Sequence, residues 1–251
     1  MSQFAIYPSL KNRVVYVTGG ASGIGAEIVT AFAEQGARVG LVDYDREGGE
    51  EIMARFDNVA FAYADLLDID ALNSAFANLK ASIGAAQVLV SNAARDDRHD
   101  WREVTPEYWD ERFANNIRHF FFATQNVAPD MIRAGDGGSI INIGSNSWWE
   151  ACGGFPAYAT AKSAVHGLTR TMARELGPHR IRVNAVVPGW IMTERQKQLW
   201  ATPETLEAHR RNQCLPDLIE PVYVARMVLF LTSDDASMCT ASDFRVEAGS
   251  I

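Results

Sequence analysis

Cysteine is scarce in this chain: Cys152, Cys214 and Cys239 are the only three, and their spacing fits neither a disulfide framework nor a zinc site. That excludes a disulfide-stapled scaffold and predicts a reducing, cytoplasmic setting. Long apolar runs are missing as well. Nothing approaches the roughly 18 uncharged residues of a membrane helix, and "MSQFAIYPSLKNR" lacks the apolar core of a secretory signal. No membrane partner is expected. Basic charge is also in short supply, with 23 Lys and Arg against 31 Asp and Glu, a formal net charge of -8. Nucleic acid is therefore not an expected partner, because phosphate-backbone binding needs a basic surface. A small anion can still be held locally by backbone amides. The five histidines form no H-E-x-x-H pair. "RDDRHD", residues 95–100, offers Asp96, Asp97 and His99, but such a charge-rich run is expected to face water, and no metal is predicted.

What is present is a regular alternation. Short β-branched runs, "RVVYVTG", "ARVGLVD", "VAFAYAD", "AQVLVSNA", "GSIINIGS" and "IRVNAVVPG", read as buried strands. Helical patterns separate them: "IGAEIVTAFAEQG", then about 46–56, 68–83, 106–132 and 157–177. Strands alternating with helices of this length predict βαβ units. Near-continuous apolar strands predict a sheet covered on both faces. With 251 residues, 47% of them hydrophobic, and neither repeat nor linker, residues 1–251 are expected to form one α/β domain. Its architecture should be a Rossmann-type doubly wound parallel sheet of about seven strands with helices on both faces. One segment, "WIMTERQKQLWATPETLEAHRRNQCL", interrupts the rhythm after a strand's carboxyl end. An insertion there, at about 190–216, is expected to act as a lid.

"VTGGASGIGAE" joins the first strand to the first helix. Gly19, Gly23 and Gly25 suit a tight turn, a close approach to a pyrophosphate and close helix packing. The helix start offers free N–H groups and the positive end of its dipole. Asp43 ends the second strand, where a carboxylate accepts from an adenosine ribose and repels a 2′-phosphate. NAD is thus favoured, with NADP as a minor second cofactor through nearby Arg46. Asp65, after the third strand, is placed to meet the adenine edge or to cap a turn. Tyr158 and Lys162 stand four apart in "PAYATAKSAVHGL", on one helix face. A fixed ammonium there would stabilise a phenolate and make a base of a side chain whose ordinary pKa is about 10.

Taken in order, "TGGASGIG", "SNAA", "NNIRH", "INIGSNS", "YATAK" and "VVPGWIMT" resemble the short-chain dehydrogenase/reductase family over nearly the whole chain. The resemblance implies a catalytic tetrad. Ser145 binds the substrate oxygen, Tyr158 is the acid/base, Lys162 lowers the tyrosine's pKa and holds the nicotinamide ribose, and Asn116 anchors a relay water. It implies that Asn92, Ser22, Ile24, Leu66, Pro188, Ile191 and Thr193 join the glycines, Asp43 and Asp65 around NAD. "SNAA" has Ala94 where the family often has glycine, and Gly144 stands where serine is frequent.

"AIYPSL", "RDDRH", "YWDER", "PGWIMTERQ" and "SDDASMCT" further resemble the branch of sugar (aldose) 1-dehydrogenases, acting on D-xylose, L-arabinose or D-galactose. The C-terminal "VEAGSI" departs from that branch. The implied substrate is a small sugar oxidised at C1 to the lactone. Ser145, Tyr158, Asn146, Glu150, Trp149 and Trp190 are the residues expected to meet it, with Arg195 and Gln196 either reaching the pocket from the lid or lying on a solvated helix. A homotetramer is implied too. Other readings stay open: reduction of another ketone on the same scaffold (polyol, hydroxysteroid or 3-oxoacyl), or an NAD-sensing protein without turnover.

Overall fold

The computed structural model describes residues 4–250. Seven strands, β1 (Val14–Thr18), β2 (Arg38–Asp43), β3 (Val59–Tyr63), β4 (Val88–Ser91), β5 (Gly138–Ile143), β6 (Ile181–Pro188) and β7 (Asp243–Val246), form one sheet. Their order is β3-β2-β1-β4-β5-β6-β7, and every adjacent pair is parallel. Parallel neighbours need crossover helices, and these cover both faces. Ile28, Val29 and Phe32 of α1 (Gly23–Glu34) share a core with Val224, Val228 and Leu229 of α9 (Pro221–Thr232). Leu72, Phe76 and Leu79 of α3 (Ile69–Ile83) pack on the other face with Val127 and Met131 of α5 (His119–Ala134) and Leu176 of α6 (Pro156–Leu176). The remaining helices are α2 (Arg46–Arg55), α4 (Pro106–Phe113), α7 (Glu194–Leu199) and α8 (Pro203–Arg211). Among the described residues, no helix is long and apolar enough to cross a membrane.

The strand order reverses between β1 and β4, so the chain leaves those two strands in opposite directions and opens a crevice at their carboxyl ends. Most sequence boundaries hold within a residue or two. One does not: the single helix expected over 106–132 is α4 and α5 joined by a π-helical turn, Ala114–Arg118, which carries Asn116. Such wide turns leave backbone groups out of the regular ladder and recur at functional sites. Proline stands inside α5 at Pro129, and the helix ends on Gly135 in the left-handed region.

The turn after β1 admits nothing larger than glycine at two points. Gly19 has φ of +66°, and a Cβ there would sit 2.6 Å from the Ala93 Cα. A Cβ on Gly25 would fall 1.8 Å from the Gly19 carbonyl oxygen and 2.6 Å from the Asn92 side-chain nitrogen. Gly25→Ala should therefore lower the melting temperature by about 4–8 °C, as overpacked backbone contacts in a domain of this size do. Thermal unfolding followed by circular dichroism checks it.

Candidate active site

A cleft of about 1140 Å³ opens at the carboxyl ends of the strands. At one end it is lined by Gly19, Ser22, Gly23, Ile24 and Gly25. No side chain caps the start of α1, and its first turn carries no acidic residue, so its free N–H groups and positive dipole end are left for an outside anion. Asn92 donates its side-chain amide to the Gly19 oxygen at 2.8 Å and the Thr18 oxygen at 3.2 Å, which ties the turn to the end of β4. Asp43 lies in the same wall, 7% exposed. Its two oxygens accept from the N–H of Ala21 at 2.9 Å and of Asp45 at 3.0 Å. It is thus a turn-former and a cleft carboxylate together. Asp65 and Leu66 also line the cleft, and Asp65 accepts from the Leu67 N–H at 2.9 Å, so it too builds its turn. Arg46 is not in the wall: it stacks on the Tyr63 ring and pairs with Glu50.

At the other end stand Ser145, Tyr158 and Lys162. The start of α6, with Pro156 at its first position, delivers Tyr158 and Lys162 from one face. Lys162 is 1% exposed and donates to the Ile143 carbonyl at 2.7 Å, its nitrogen 5.9 Å from the Tyr158 ring centre. Burial pulls the ammonium down to about 7, with the charge of Asp96 acting the other way. Burial likewise raises the Tyr158 phenol well above its ordinary value; Asp96 adds to the rise, and the Ser145 hydroxyl and Arg98 oppose it. In the protein alone the dry wall dominates the shift of Tyr158, and the groups working against it are Ser145 and Arg98.

Asn116 lies behind the cleft, completely buried. Its side chain accepts from the Arg95 N–H at 2.9 Å and donates to the Arg112 carbonyl at 2.8 Å. The amide thus ties the β4–α4 loop to the last turn of α4. His119, one turn on, is buried and kept neutral, its pKa pulled to about 4 chiefly by burial.

Asn146, Glu150 and Trp190 line the cleft as expected, and Asn146 donates to the Glu150 carboxylate. Trp149 does not. It packs against the cluster of Phe120, Val165, Ala185 and Val187, with the Arg245 guanidinium 3.7 Å over its ring. Pro188, Ile191 and Thr193 are in the wall. Two further expectations are corrected. Asp96 and Asp97 are not a free solvated run, nor is Arg195 on a free solvated helix: Arg195 donates to Asp96 at 2.9 Å and to Asp97 at 2.6 Å. Sequence reading missed Arg98, Trp200 and His209, all in the wall. Arg98 stacks 3.7 Å over Phe155. Nothing local to these residues marks them, because the contacts that place them span long stretches of chain.

The buried lysine has a thermodynamic consequence. Its folded pKa of about 7 lies below the free value of 10.5, so the unfolded chain binds its proton more readily. The resulting penalty is full below about pH 7 and fades as pH rises to about 10.5. Lys162→Met should raise the melting temperature at pH 6 by about 4 °C after loss of the Ile143 hydrogen bond, and by much less at pH 10. Paired melts at the two pH values check it.

Residues 19–250 match the family model described as enoyl-(acyl carrier protein) reductase. The chain is 46% identical over 249 residues to the D-xylose 1-dehydrogenase of Caulobacter vibrioides, covering 98% of each. It is 44% identical over 248 residues to the "Probable galactose dehydrogenase GalD" of Rhizobium meliloti, covering 97% of this chain and 96% of that protein. Among solved structures, the 3-oxoacyl-[acyl-carrier protein] reductase of Brucella melitensis with bound NAD superposes with a TM-score of 0.88 at 28% identity. The alignment covers 99% of this chain and 97% of that one. With a glycine turn beneath an uncapped helix at one end of its cleft and a buried tyrosine–lysine pair at the other, the chain belongs to the short-chain dehydrogenase/reductase family.

Proposed function

We propose that the protein oxidises an aldose at C1 to the aldonolactone, with NAD as the cofactor. The observation that carries the reading is identity of 46% over 98% of the chain to a sugar dehydrogenase, with Ser145, Asn146 and Glu150 in the cleft wall able to hydrogen-bond hydroxyls. The uncapped start of α1 and the Gly19 and Gly25 positions, which a Cβ would fill, fit a pyrophosphate. Asp43 supports NAD over NADP, and Arg46, occupied by Tyr63 and Glu50, offers a 2′-phosphate little. When bound, the dinucleotide supplies the hydride acceptor.

In this reading the C1 hydroxyl lies between Ser145 and Tyr158. Tyr158 takes the hydroxyl proton as general base, and Ser145 donates to the same oxygen as charge develops on it. Lys162 and a cofactor cation both favour the phenolate against the burial that opposes it. Asn146, Glu150 and Trp190 hold the ring hydroxyls and one apolar face of the sugar. Trp149 is withdrawn from that set. We keep the homotetramer as part of the proposal: α4 and α5 leave Trp109, Phe121 and Ile132 exposed, which suits a helical interface. A cytoplasmic location suits the three unpaired cysteines.

A 3-oxoacyl reductase is the second reading, favoured by the solved structure of that name. The pairing of Asn146 with Glu150, and Arg98 beside them in the same wall, weighs against an aliphatic chain there. A spectrophotometric panel separates the two: D-xylose, L-arabinose and D-galactose, each with NAD and with NADP, against a 3-oxoacyl thioester with NADH. Turnover of an aldose with NAD at least about tenfold better than with NADP is expected, and turnover of the thioester alone overturns the reading. Tyr158→Phe should cut aldose turnover by about a thousandfold or more while NADH still quenches tryptophan fluorescence. Retained turnover contradicts the role of Tyr158.

A further inference from the structure

The β4–α4 loop and the 190–216 insertion meet across about a hundred residues of chain through three polar contacts. Arg195, in the first turn of α7, donates Nη1 to Asp96 Oδ1 at 2.9 Å and Nη2 to Asp97 Oδ1 at 2.6 Å. Gln196 donates Nε2 to the other Asp96 oxygen at 2.8 Å. Its Oε1 accepts from the indole N–H of Trp190 at 2.8 Å, so the start of the insertion is fixed by the same side chain. The loop's other side reaches the wide turn. Arg112, its side chain 6% exposed, donates to Asp97 Oδ2 at 2.8 Å. The Arg112 carbonyl and the Arg95 N–H hold the two ends of the Asn116 amide. One connected set of bonds therefore runs from the insertion, through two carboxylates, to the buried Asn116.

Asp96 also stands in the cleft wall with Tyr158 and Arg195. A lone carboxylate there would hinder the loss of a proton from anything beside it. Arg195 and Gln196 between them occupy both of its oxygens.

We propose that Arg195 is a positioning residue for the acid/base step: by pairing with Asp96 and Asp97 it holds the insertion over the cleft and offsets the carboxylate that shares the wall with Tyr158. This deepens the dehydrogenase reading above and rests on it for substrate. Tyr158 has Lys162 on its own helix and Asp96, Arg98 and, at the Ala157 N–H, His99 from the β4–α4 loop. From the segment after β5 come Ser145, the Cys152 beside Arg98, and Glu150, which is held by Asn146. Neutral His119 packs near Lys162 from α5, and Arg195 and His209 line the wall from the insertion. The charge of Asp96 favours the protonated form of both Tyr158 and Lys162. Whichever of the pair a pH profile reports, the direction is the same. Freeing Asp96 from Arg195 moves the acid limb up, and neutralising Asp96 moves it down.

The test uses the full-length protein with NAD and D-xylose, or whichever panel aldose is turned over. It compares Arg195→Met, Asp96→Asn, their combination and Arg195→Lys across pH 6–10. Arg195→Met should shift the acid limb of kcat/KM upward by about half a unit, and Asp96→Asn should shift it down by about as much, shifts of the size expected for a partly exposed charge pair. Arg195→Met should also cost about fivefold in kcat/KM, mostly through KM, with Arg195→Lys recovering part of the loss and half-molar salt weakening the wild type alone. Limbs that stay put, or move together, overturn the proposal even if activity falls. Amide exchange over residues 194–211 gives a readout independent of substrate. It should quicken in Arg195→Met and in Asp96→Asn, and in the combination by less than the sum of the two, while unchanged exchange overturns the latch. If no aldose is oxidised, the dehydrogenase reading fails and the exchange result alone decides.

Discussion

An ammonium packed so that 1% of its residue meets solvent, with one carbonyl as its hydrogen-bond partner, constrains everything around it. Such burial costs free energy unless the charge is met or the proton is lost, and Lys162 is accordingly pulled to about 7. Meeting the charge needs the carbonyl of Ile143 at the last residue of β5, and so fixes where α6 must start. The Phe120 ring, 5.0 Å from the nitrogen, closes the other side. Phe120 takes its place from α5, whose entry is the wide turn at Ala114–Arg118. The buried lysine is thus positioned jointly by the end of a central strand and by the interruption in a long helix.

The same dryness acts on Tyr158 in the opposite sense. A low-dielectric wall disfavours charge, raising a phenol and lowering an amine, so the pair is drawn towards two neutral groups near pH 7. Making a base from that phenol takes positive charge supplied from around it. Arg98 supplies some, Asp96 works against it, and Arg195 stands on Asp96. In this account the reactivity of the tyrosine is set by four charges drawn from α6, the β4–α4 loop and the 190–216 insertion. A cofactor cation is the fifth.

What could be read from the sequence is what depends on local spacing. Gly19, Gly23 and Gly25 were legible because one short turn decides their backbone, and Asp43 because a strand end decides its place. Tyr158 and Lys162 share a face by helical arithmetic alone. The parallel sheet followed from alternating patterns, with only β7 left to the strand count. The break at Ala114–Arg118 was not legible: "ERFANNIRHFFF" has the composition of a continuous helix, while Asn116 within it is held by a tertiary bond from Arg95 as well as a local one to Arg112. Asp96, Asp97 and Arg195 read as solvated because each half of the latch is a charged surface run until a segment a hundred residues away meets it. Trp149 and Trp190 were indistinguishable as tryptophans near a site. Packing on Phe120 takes one out of the cleft and the bond to Gln196 keeps the other in it. The direction of the Tyr158 shift depends on burial, and no spacing rule encodes burial.

The most direct test of this balance is the titration of Tyr158 itself, followed by NMR of tyrosine labelled at Cζ, with Tyr158→Phe to assign the signal. The account predicts that in the protein alone Tyr158 remains a phenol to at least about pH 10, the ordinary tyrosine value. With NAD present the midpoint should fall by a unit or more, as positive charge enters the dry wall. A midpoint below about pH 9 in the protein alone, or one that NAD leaves unmoved, would contradict it.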